Sequence, residues 1–300
     1  MPYFDHSSEP NVGRMPSWIR AASRSQFGTA FSTTAHTLRD SALVTVCEEA
    51  RCPNRQECWD RGTATFMILG DTCTRSCGFC AVITGRPAPP DPDEPRRVAE
   101  AAARLRLDYV VVTSVNRDDL ADGGAEHFAA TLRALHELLP EAGVEILTPD
   151  FRRQQEQAIE TIRAAVATVS SPLRLVWGHN VETVPRLYGE ARKGAKYERT
   201  LRLLEAVAAL PGIEAKSALM LGLGETDAEV RTVLRDLRSA GVQRLAIGQY
   251  LRPSRHYLPV REYVTPERFA AWGEEALGLG FSWVRSAPLV RSSYHAEAAA

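Results

Sequence analysis

At 300 residues, 44 % hydrophobic and 24 % charged, the chain has the composition of a globular protein with a sizeable core. A formal net charge of −1 gives no bulk electrostatic case for nucleic acid or an anionic membrane as partner. No apolar run reaches the roughly 18 residues of a membrane span, and Met1-Pro-Tyr-Phe-Asp-His6 lacks the basic and apolar regions of a secretory signal.

Residues 1–40 show no clean hydrophobic period and read as an extended arm, with Trp18 and Ile19 as its anchors to the body. All six cysteines then fall between Cys47 and Cys80. In a chain of this length without an export signal, that clustering reads as metal or catalytic use in a reducing cytoplasm. Residues 20–40, rich in Ser, Thr and Ala with few acids, leave an organelle form open. The first triplet, Cys47, Cys52 and Cys58, has a CxxxxCxxxxxC spacing that no single helical face can present. It reads as a loop wrapping an object, turned at Pro53-Asn54.

From residue 65 onward, apolar runs alternate with amphipathic stretches. Strands are predicted at 65–69, 109–113, 144–147, 173–177, 214–220 and 244–248, with a short one at 282–285. Helices are predicted near 94–106, 125–139, 153–167, 198–210, 226–240 and 265–279. This repetition implies a parallel sheet with right-handed crossovers, and six units fit an α/β fold of the partial, open (β/α)6 TIM-like barrel type. The site then belongs at the C-terminal ends of the strands. The polar segments obey that rule: Asn116-Arg-Asp-Asp-Leu120, Pro149-Asp150, His179-Asn180-Val-Glu182, Gly222 to Glu225 and Gln249-Tyr250 each follow a strand. Taken singly each has an ordinary reading. Asp118 and Asp119 can cap a helix, and His179 can be a hydrogen-bonded core histidine. Leu221-Gly-Leu-Gly-Glu-Thr226 lacks the Lys-Ser/Thr of a phosphate loop, so its glycines are read as letting backbone approach an adenosine. Three domains are expected: an N-terminal extension at 1–62, the barrel at 63–250 and a closing C-terminal extension at 251–300.

The centre of the pattern is Asp71-Thr-Cys-Thr-Arg-Ser-Cys-Gly-Phe-Cys80, which sets Cys73, Cys77 and Cys80 in a CxxxCxxC spacing straight after the first strand. Three thiols in so short a loop cannot all pair as disulfides. A structural zinc site wants a fourth ligand, and no second CxxC or HxxxH lies nearby. A four-iron, four-sulfur cluster held by three thiolates keeps one iron open to a substrate or cofactor. Two separate triplets argue for two such clusters.

CxxxCxxC with an aromatic, Phe79, before its last cysteine resembles the signature of radical S-adenosylmethionine enzymes. The resemblance implies that S-adenosylmethionine chelates the open iron and is cleaved to a 5′-deoxyadenosyl radical that abstracts hydrogen from an unactivated carbon. The upstream triplet, with the flanks Cys47-Glu-Glu-Ala-Arg-Cys-Pro-Asn54 and Glu57-Cys-Trp59, is similar to that of lipoyl synthases. The likeness runs from about residue 43 to Ala296. It includes Thr113 to Gly124, His179 to Pro185, Leu221 to Thr226 and Arg291-Ser-Ser-Tyr294. The chain departs from the family at Ala287, where glycine is frequent.

That resemblance implies a sulfurtransferase that inserts two sulfur atoms at carbons 6 and 8 of a protein-bound octanoyl-lysine. It implies a radical-generating cluster on Cys73, Cys77 and Cys80. It also implies a sulfur-donating auxiliary cluster on Cys47, Cys52, Cys58 and Ser293, with Ser292 as the fallback for the serine. Motif position assigns S-adenosylmethionine contacts to Phe79, Thr113, Asn180, Glu182, Lys216 and Tyr250. The implied partners are octanoylated lipoyl carrier domains, either 2-oxoacid dehydrogenase acyltransferase subunits or a glycine-cleavage carrier protein. An electron donor such as ferredoxin or flavodoxin is implied too. Two other readings stand beside it: an electron carrier or cluster scaffold, which has no need of the polar barrel rim, and a biotin-synthase-like sulfur insertion, which the upstream triplet disfavours.

Overall fold

The computed structural model describes residues 14–22, 29–61, 63–168 and 174–296. The N-terminal arm at 1–13 and 23–28, residue Leu173 and the tail beyond Ala296 lie outside the described residues. Helix α1 (Ser17–Ala22) buries Ile19 to 1 % and leaves Trp18 40 % exposed, so one of the two expected anchors holds. The arm expected to run to residue 40 is shorter, because α2 (Thr29–Asp40) is a helix. Its buried stripe is Phe31, Thr34, Ala35 and Leu38, in which a threonine and an alanine blur the apolar period. Thr34 Oγ1 donates to the Trp59 carbonyl, and the Phe31 ring lies 5.3 Å from that of Trp59.

Strand β1 (Val44–Thr45) leads into two short helices, α3 (Val46–Glu49) and α4 (Arg55–Asp60). Strand β2 (Thr65–Ile68) begins the barrel and a small parallel pair follows, β3 (Thr72–Cys73) and β4 (Ile83–Thr84). Helix and strand then alternate: α5 (Glu94–Arg104), β5 (Tyr109–Ser114), α6 (Ala125–Leu138), β6 (Gly143–Leu147), α7 (Gln155–Ala167) and β7 (Leu175–Gly178). After a short α8 (Tyr188–Ala191) come α9 (Tyr197–Ala208), β8 (Ile213–Leu221), α10 (Asp227–Ser239), β9 (Arg244–Gln249), α11 (Pro266–Gly278) and β10 (Trp283–Ser286). Local chemistry sets several starts. Thr226 and Glu229 form a reciprocal capping box at α10, and Thr265 caps α11 with Pro266 in its first turn.

The main sheet runs β1-β2-β5-β6-β7-β8-β9-β10. Strand β1 is antiparallel to β2 at one edge and every other neighbour is parallel. The two edge strands do not pair, so the barrel is open, with β10 extending the six expected strands to seven parallel ones. Outward residues such as Val110, Val112, Ile146 and Trp177 pack beneath the helices in the main core. Inward residues line a lumen, and both faces of the strands are buried, as a parallel sheet requires.

On the open side, the segment carrying the upstream cysteines meets the segment that follows β10. Asn54 Nδ2 donates to the Leu289 carbonyl at 2.7 Å, and Tyr294 Oη donates to Glu57 at 3.0 Å. Gly248 of β9 makes room for this closing segment: a Cβ there would meet the Val290 carbonyl at 2.0 Å. Ala296 ends against Tyr109 and Val111 at the lower end of the lumen.

Candidate active site

Leu69 and Gly70, both with positive φ, turn the chain out of β2 and into the loop that carries Cys73, Cys77 and Cys80. That loop is pinned at several points. Gly78 N–H donates to the Ala191 carbonyl and Gly78 C=O accepts from Leu258 N, both at 2.9 Å. A Cβ on Gly78 would meet the Glu190 carbonyl at 2.7 Å. Arg75, inside the loop, gives two hydrogen bonds to Asp118 and one to Asp150, each of 2.7 Å. Burial alone would raise the Asp150 carboxyl, but Arg75 and Arg199 hold it below the usual carboxylate range. Asp118 is therefore an anchor of the cysteine loop, while Asp119 is paired with Arg117. Neither caps a helix.

The three thiols look onto a cavity of about 450 Å³ at the C-terminal ends of the strands. Cys73 Sγ accepts backbone N–H bonds from Arg75 and Asn116 at 3.4 and 3.3 Å. Burial pushes Cys77 up to about 11 and Cys80 to about 12, with Arg192 opposing the shift at Cys77. Thiols this reluctant to ionise in the bare protein are ones a bound cation deprotonates on arrival. Among the described residues no group of three or more His, Cys, Asp or Glu side chains is arranged to hold a single metal ion. The donors are soft and three per group, set around open space. That fits an iron–sulfur cluster better than a closed zinc site.

The cavity wall brings together most of the residues singled out from the sequence: Phe79, Thr113, Asn180, Glu182, Tyr250 and Ser293. Glu182 has positive φ, and burial raises its carboxyl, with Arg192 and the Asn180 amide countering. Three buried acceptors on this wall, Ser114 Oγ, Asn116 Oδ1 and Asn180 Oδ1, have no hydrogen-bond partner among the described residues. Orphaned acceptors in a cavity are satisfied by water or by a polar ligand. His179 takes both roles foreseen for it. It lines the cavity, yet its Nδ1 meets the Thr148 carbonyl at 2.8 Å and its Nε2 meets Thr200 Oγ1 at 3.2 Å. Burial, then Arg192, depress its pKa to about 4, so the ring is neutral.

Lys216 does not reach the cavity, contrary to the contact expected of it. It lies two residues before Ala218 on β8, one layer deeper in the lumen. There its Nζ bonds both oxygens of Glu145 at 2.9 and 2.7 Å and sits 4.8 Å from the Trp283 ring centre. Gly222 and Gly224 do not line the cavity either. A Cβ on Gly222 would meet the Gln249 amide at 2.2 Å and the Glu262 carbonyl at 2.4 Å, so close packing of the chain on itself requires this glycine. Gln249 is likewise structural, tying Leu221, Glu262 and Val264 together.

The second triplet forms its own group beside the first. Thr45 caps α3, which holds Cys47, and α4 holds Cys58, with Cys52 between them. The loop expected from the spacing is thus two short helices joined by a turn in which Arg51 has positive φ. Cys47, Cys52, Cys58 and Ser293 line a smaller cavity of about 30 Å³ adjoining the first, and Cys47, Cys52 and Ser293 line both. Ser292 faces the large cavity alone. Ser293 Oγ accepts from Thr65 Oγ1 at 2.9 Å. Burial, then Cys52, push Cys47 up to about 11.

Arg75, Arg192 and Arg291 are the functional candidates that sequence reasoning passed over. Arg75 sits inside the CxxxCxxC loop and could have been noticed there. Arg192 carries no local signal, since only the fold brings it beside Cys77.

Residues 67–237 match the Radical SAM superfamily. The chain is 55 % identical over 285 residues to the lipoyl synthase of Methylococcus capsulatus, covering 95 % of this chain and 86 % of that one. It is 53 % identical over 283 residues to the lipoyl synthase of Syntrophotalea carbinolica, covering 94 % and 89 %. Among solved structures it resembles Streptococcus suis SuiB bound to S-adenosylmethionine, with a TM-score of 0.55 at 12 % identity over 74 % of this chain and 50 % of that one. It also resembles methylornithine synthase (PylB), with a TM-score of 0.52 at 12 % identity over 89 % and 85 %.

Proposed function

Given that this chain belongs to the lipoyl synthase family of radical S-adenosylmethionine enzymes, we propose that it inserts sulfur at carbons 6 and 8 of an octanoyl group borne on a lysine of a lipoyl carrier domain. The observation that carries this reading is the division of six thiols and Ser293 between two adjoining cavities. Cys73, Cys77 and Cys80 hold one four-iron, four-sulfur cluster. Cys47, Cys52, Cys58 and Ser293 hold a second. When bound, the first cluster with S-adenosylmethionine supplies the 5′-deoxyadenosyl radical that abstracts hydrogen, and the second supplies the sulfur.

The chain's own residues do the positioning. Arg75 fixes the first cysteine loop through Asp118 and Asp150. Phe79, Thr113, Asn180, Glu182 and Tyr250 form the wall against which S-adenosylmethionine lies, and the orphaned oxygens of Ser114, Asn116 and Asn180 receive its donors. Lys216, bonded to Glu145, has no part in this set. The two thiol groups face the shared space from different elements, so an alkyl chain entering it lies between hydrogen abstraction and sulfur supply. The apolar wall of Leu147, Ala218, Ala246 and Val290 suits such a chain. Ser293 rather than Ser292 is the oxygen ligand, because it shares the smaller cavity with the upstream cysteines. A serine oxygen binds iron more weakly than thiolate and lets a cluster that surrenders sulfide come apart.

In domain terms, residues 1–62 bring the upstream cysteines, 63–250 the barrel and 251–300 the closing segment with its serine. The partners are the carrier domains of 2-oxoacid dehydrogenases or glycine cleavage, and a ferredoxin- or flavodoxin-like reductant, in the cytoplasm. Among the described residues no helix is long and apolar enough to cross a membrane.

The test is anaerobic reconstitution followed by turnover of an octanoyl-lysine peptide with reductant and S-adenosylmethionine. The expected result is about eight irons per chain, 5′-deoxyadenosine, and a peptide carrying two added sulfurs. Ser293→Ala is expected to abolish sulfur insertion while deoxyadenosine still forms, with Ser292→Ala much milder. Half the iron and no sulfur product in the unmodified protein removes the reading.

A further inference from the structure

Arg291 is used by nothing described so far. It lines both cavities, between the first cysteine group and the second. Its Nη1 lies 3.3 Å from where a Cβ on Gly248 would be, so the glycine of β9 opens the space the guanidinium occupies. Its hydrogen bond is to the carbonyl of its own neighbour, Val290, at 2.7 Å. No carboxylate forms an ion pair with it among the described residues, and it shares the wall of the large cavity with Cys52 and Glu182. The other arginines of the large cavity are engaged elsewhere: Arg75 by Asp118 and Asp150, Arg192 by Tyr188 and Thr200, and Arg51 and Arg252 by the Pro253 and Tyr257 carbonyls. An arginine held between cavities without an acid is costly unless an anion arrives to meet it. Guanidinium suits that role better than ammonium, because it is weakly hydrated and always charged.

We propose that Arg291 is the counter-cation of the second cluster, a positioning residue that offsets its charge and raises its reduction potential. The inference rests on the reading that Cys47, Cys52, Cys58 and Ser293 hold that cluster. Three thiolates and a serine oxygen leave a four-iron, four-sulfur core net anionic. Arg291 lines the smaller cavity together with all four of the ligands proposed for that cluster. A fixed cation beside such a centre stabilises the more negative, reduced form most, so reduction becomes easier. In the lipoyl synthase family sulfur supply draws on this centre, and a raised potential favours that use.

The experiment is a redox titration of the reconstituted two-cluster protein, followed by electron paramagnetic resonance, on the unmodified chain, Arg291→Met and Arg291→Lys. In Arg291→Met the second cluster's reduced-to-oxidised ratio at a fixed potential is expected to fall about tenfold, a lowering of about 59 mV for one electron. The first cluster, next to Arg192, is expected to stay within threefold. Arg291→Lys restores the charge and brings the second cluster back to within threefold of the unmodified value. If Arg291→Met holds only half the iron, while Arg291→Lys holds it all, the cation is needed to retain the cluster and the proposal stands. An unchanged second-cluster potential in Arg291→Met overturns it, as does a Lys variant displaced as far as Met. Unchanged potentials with a tenfold loss of S-adenosylmethionine affinity reassign Arg291 to the carboxylate of that cofactor. A second cluster missing from the unmodified protein defeats the underlying reading instead, and is seen in the iron count before any variant is made.

Discussion

Replacing Lys216 by Met separates the role that sequence position gave this lysine from the role its surroundings give it. The Lys216 side chain is 2 % exposed and its partner Glu145 is 1 % exposed, with N–O distances of 2.9 and 2.7 Å. Methionine fills most of the lysine volume, so packing is largely kept and the charge is what goes. Glu145 is then left with Tyr109, whose hydroxyl donates at 3.3 Å. Removing one partner of a buried pair costs about 3–5 kcal/mol, because the other charge stays desolvated. At a urea m-value of about 3 kcal/mol/M, the unfolding midpoint falls by roughly 1–1.7 M. Adding Glu145→Gln to Lys216→Met is expected to recover about half of the loss, as coupled neighbours do in a double-mutant cycle. S-adenosylmethionine affinity of the reconstituted protein is expected to change less than threefold. A stability loss below about 1 kcal/mol together with a tenfold weaker cofactor would refute this account and return Lys216 to the cavity.

Arg75→Met breaks three 2.7 Å hydrogen bonds, two part-buried ones to Asp118 and a buried one to Asp150. It is expected to destabilise the protein by about 3–5 kcal/mol and to lower iron retention on the first cluster while the second survives, read by iron analysis and spectroscopy. Gly248→Ala places a Cβ 2.0 Å from the Val290 carbonyl. The closing segment must move, with an expected cost of about 1–3 kcal/mol and loss of second-cluster iron. His179 supplies a pH dependence. Its folded pKa of about 4 lies below the unfolded value near 6.5, so the unfolded chain binds the extra proton between them. The stability it contributes is full above about pH 6.5 and lost as pH falls toward 4, about 3 kcal/mol in all. Urea midpoints measured from pH 7 to 4.5 should show this limb, and His179→Gln should flatten it.

Much of this protein is local in origin and therefore legible in its sequence. The alternation of apolar runs and amphipathic stretches follows from the periods of strand and helix, and it located the six barrel strands and their helices to within a few residues. The two cysteine triplets are chemistry written in spacing, and their separation into two groups followed from their number alone. Helix α2 escaped because its buried stripe is half Thr and Ala, which hydropathy does not mark. Tertiary structure decided the rest. Whether a strand residue meets the cavity or lies one layer below is a matter of depth along the strand, which is how Lys216 left the site and Ala218 entered it. Whether a glycine serves a ligand or its own chain depends on what packs against it, and Gly222 packs on Gln249 and Glu262. The motif already put Ser293 ahead of Ser292; that Ser293 shares the smaller cavity with Cys47, Cys52 and Cys58 depends on the closing segment's path past Gly248. Arg291 gained its place between two cavities only because residues 289–294 fold back over the segment of the first cysteines, a contact between positions more than 200 apart in sequence.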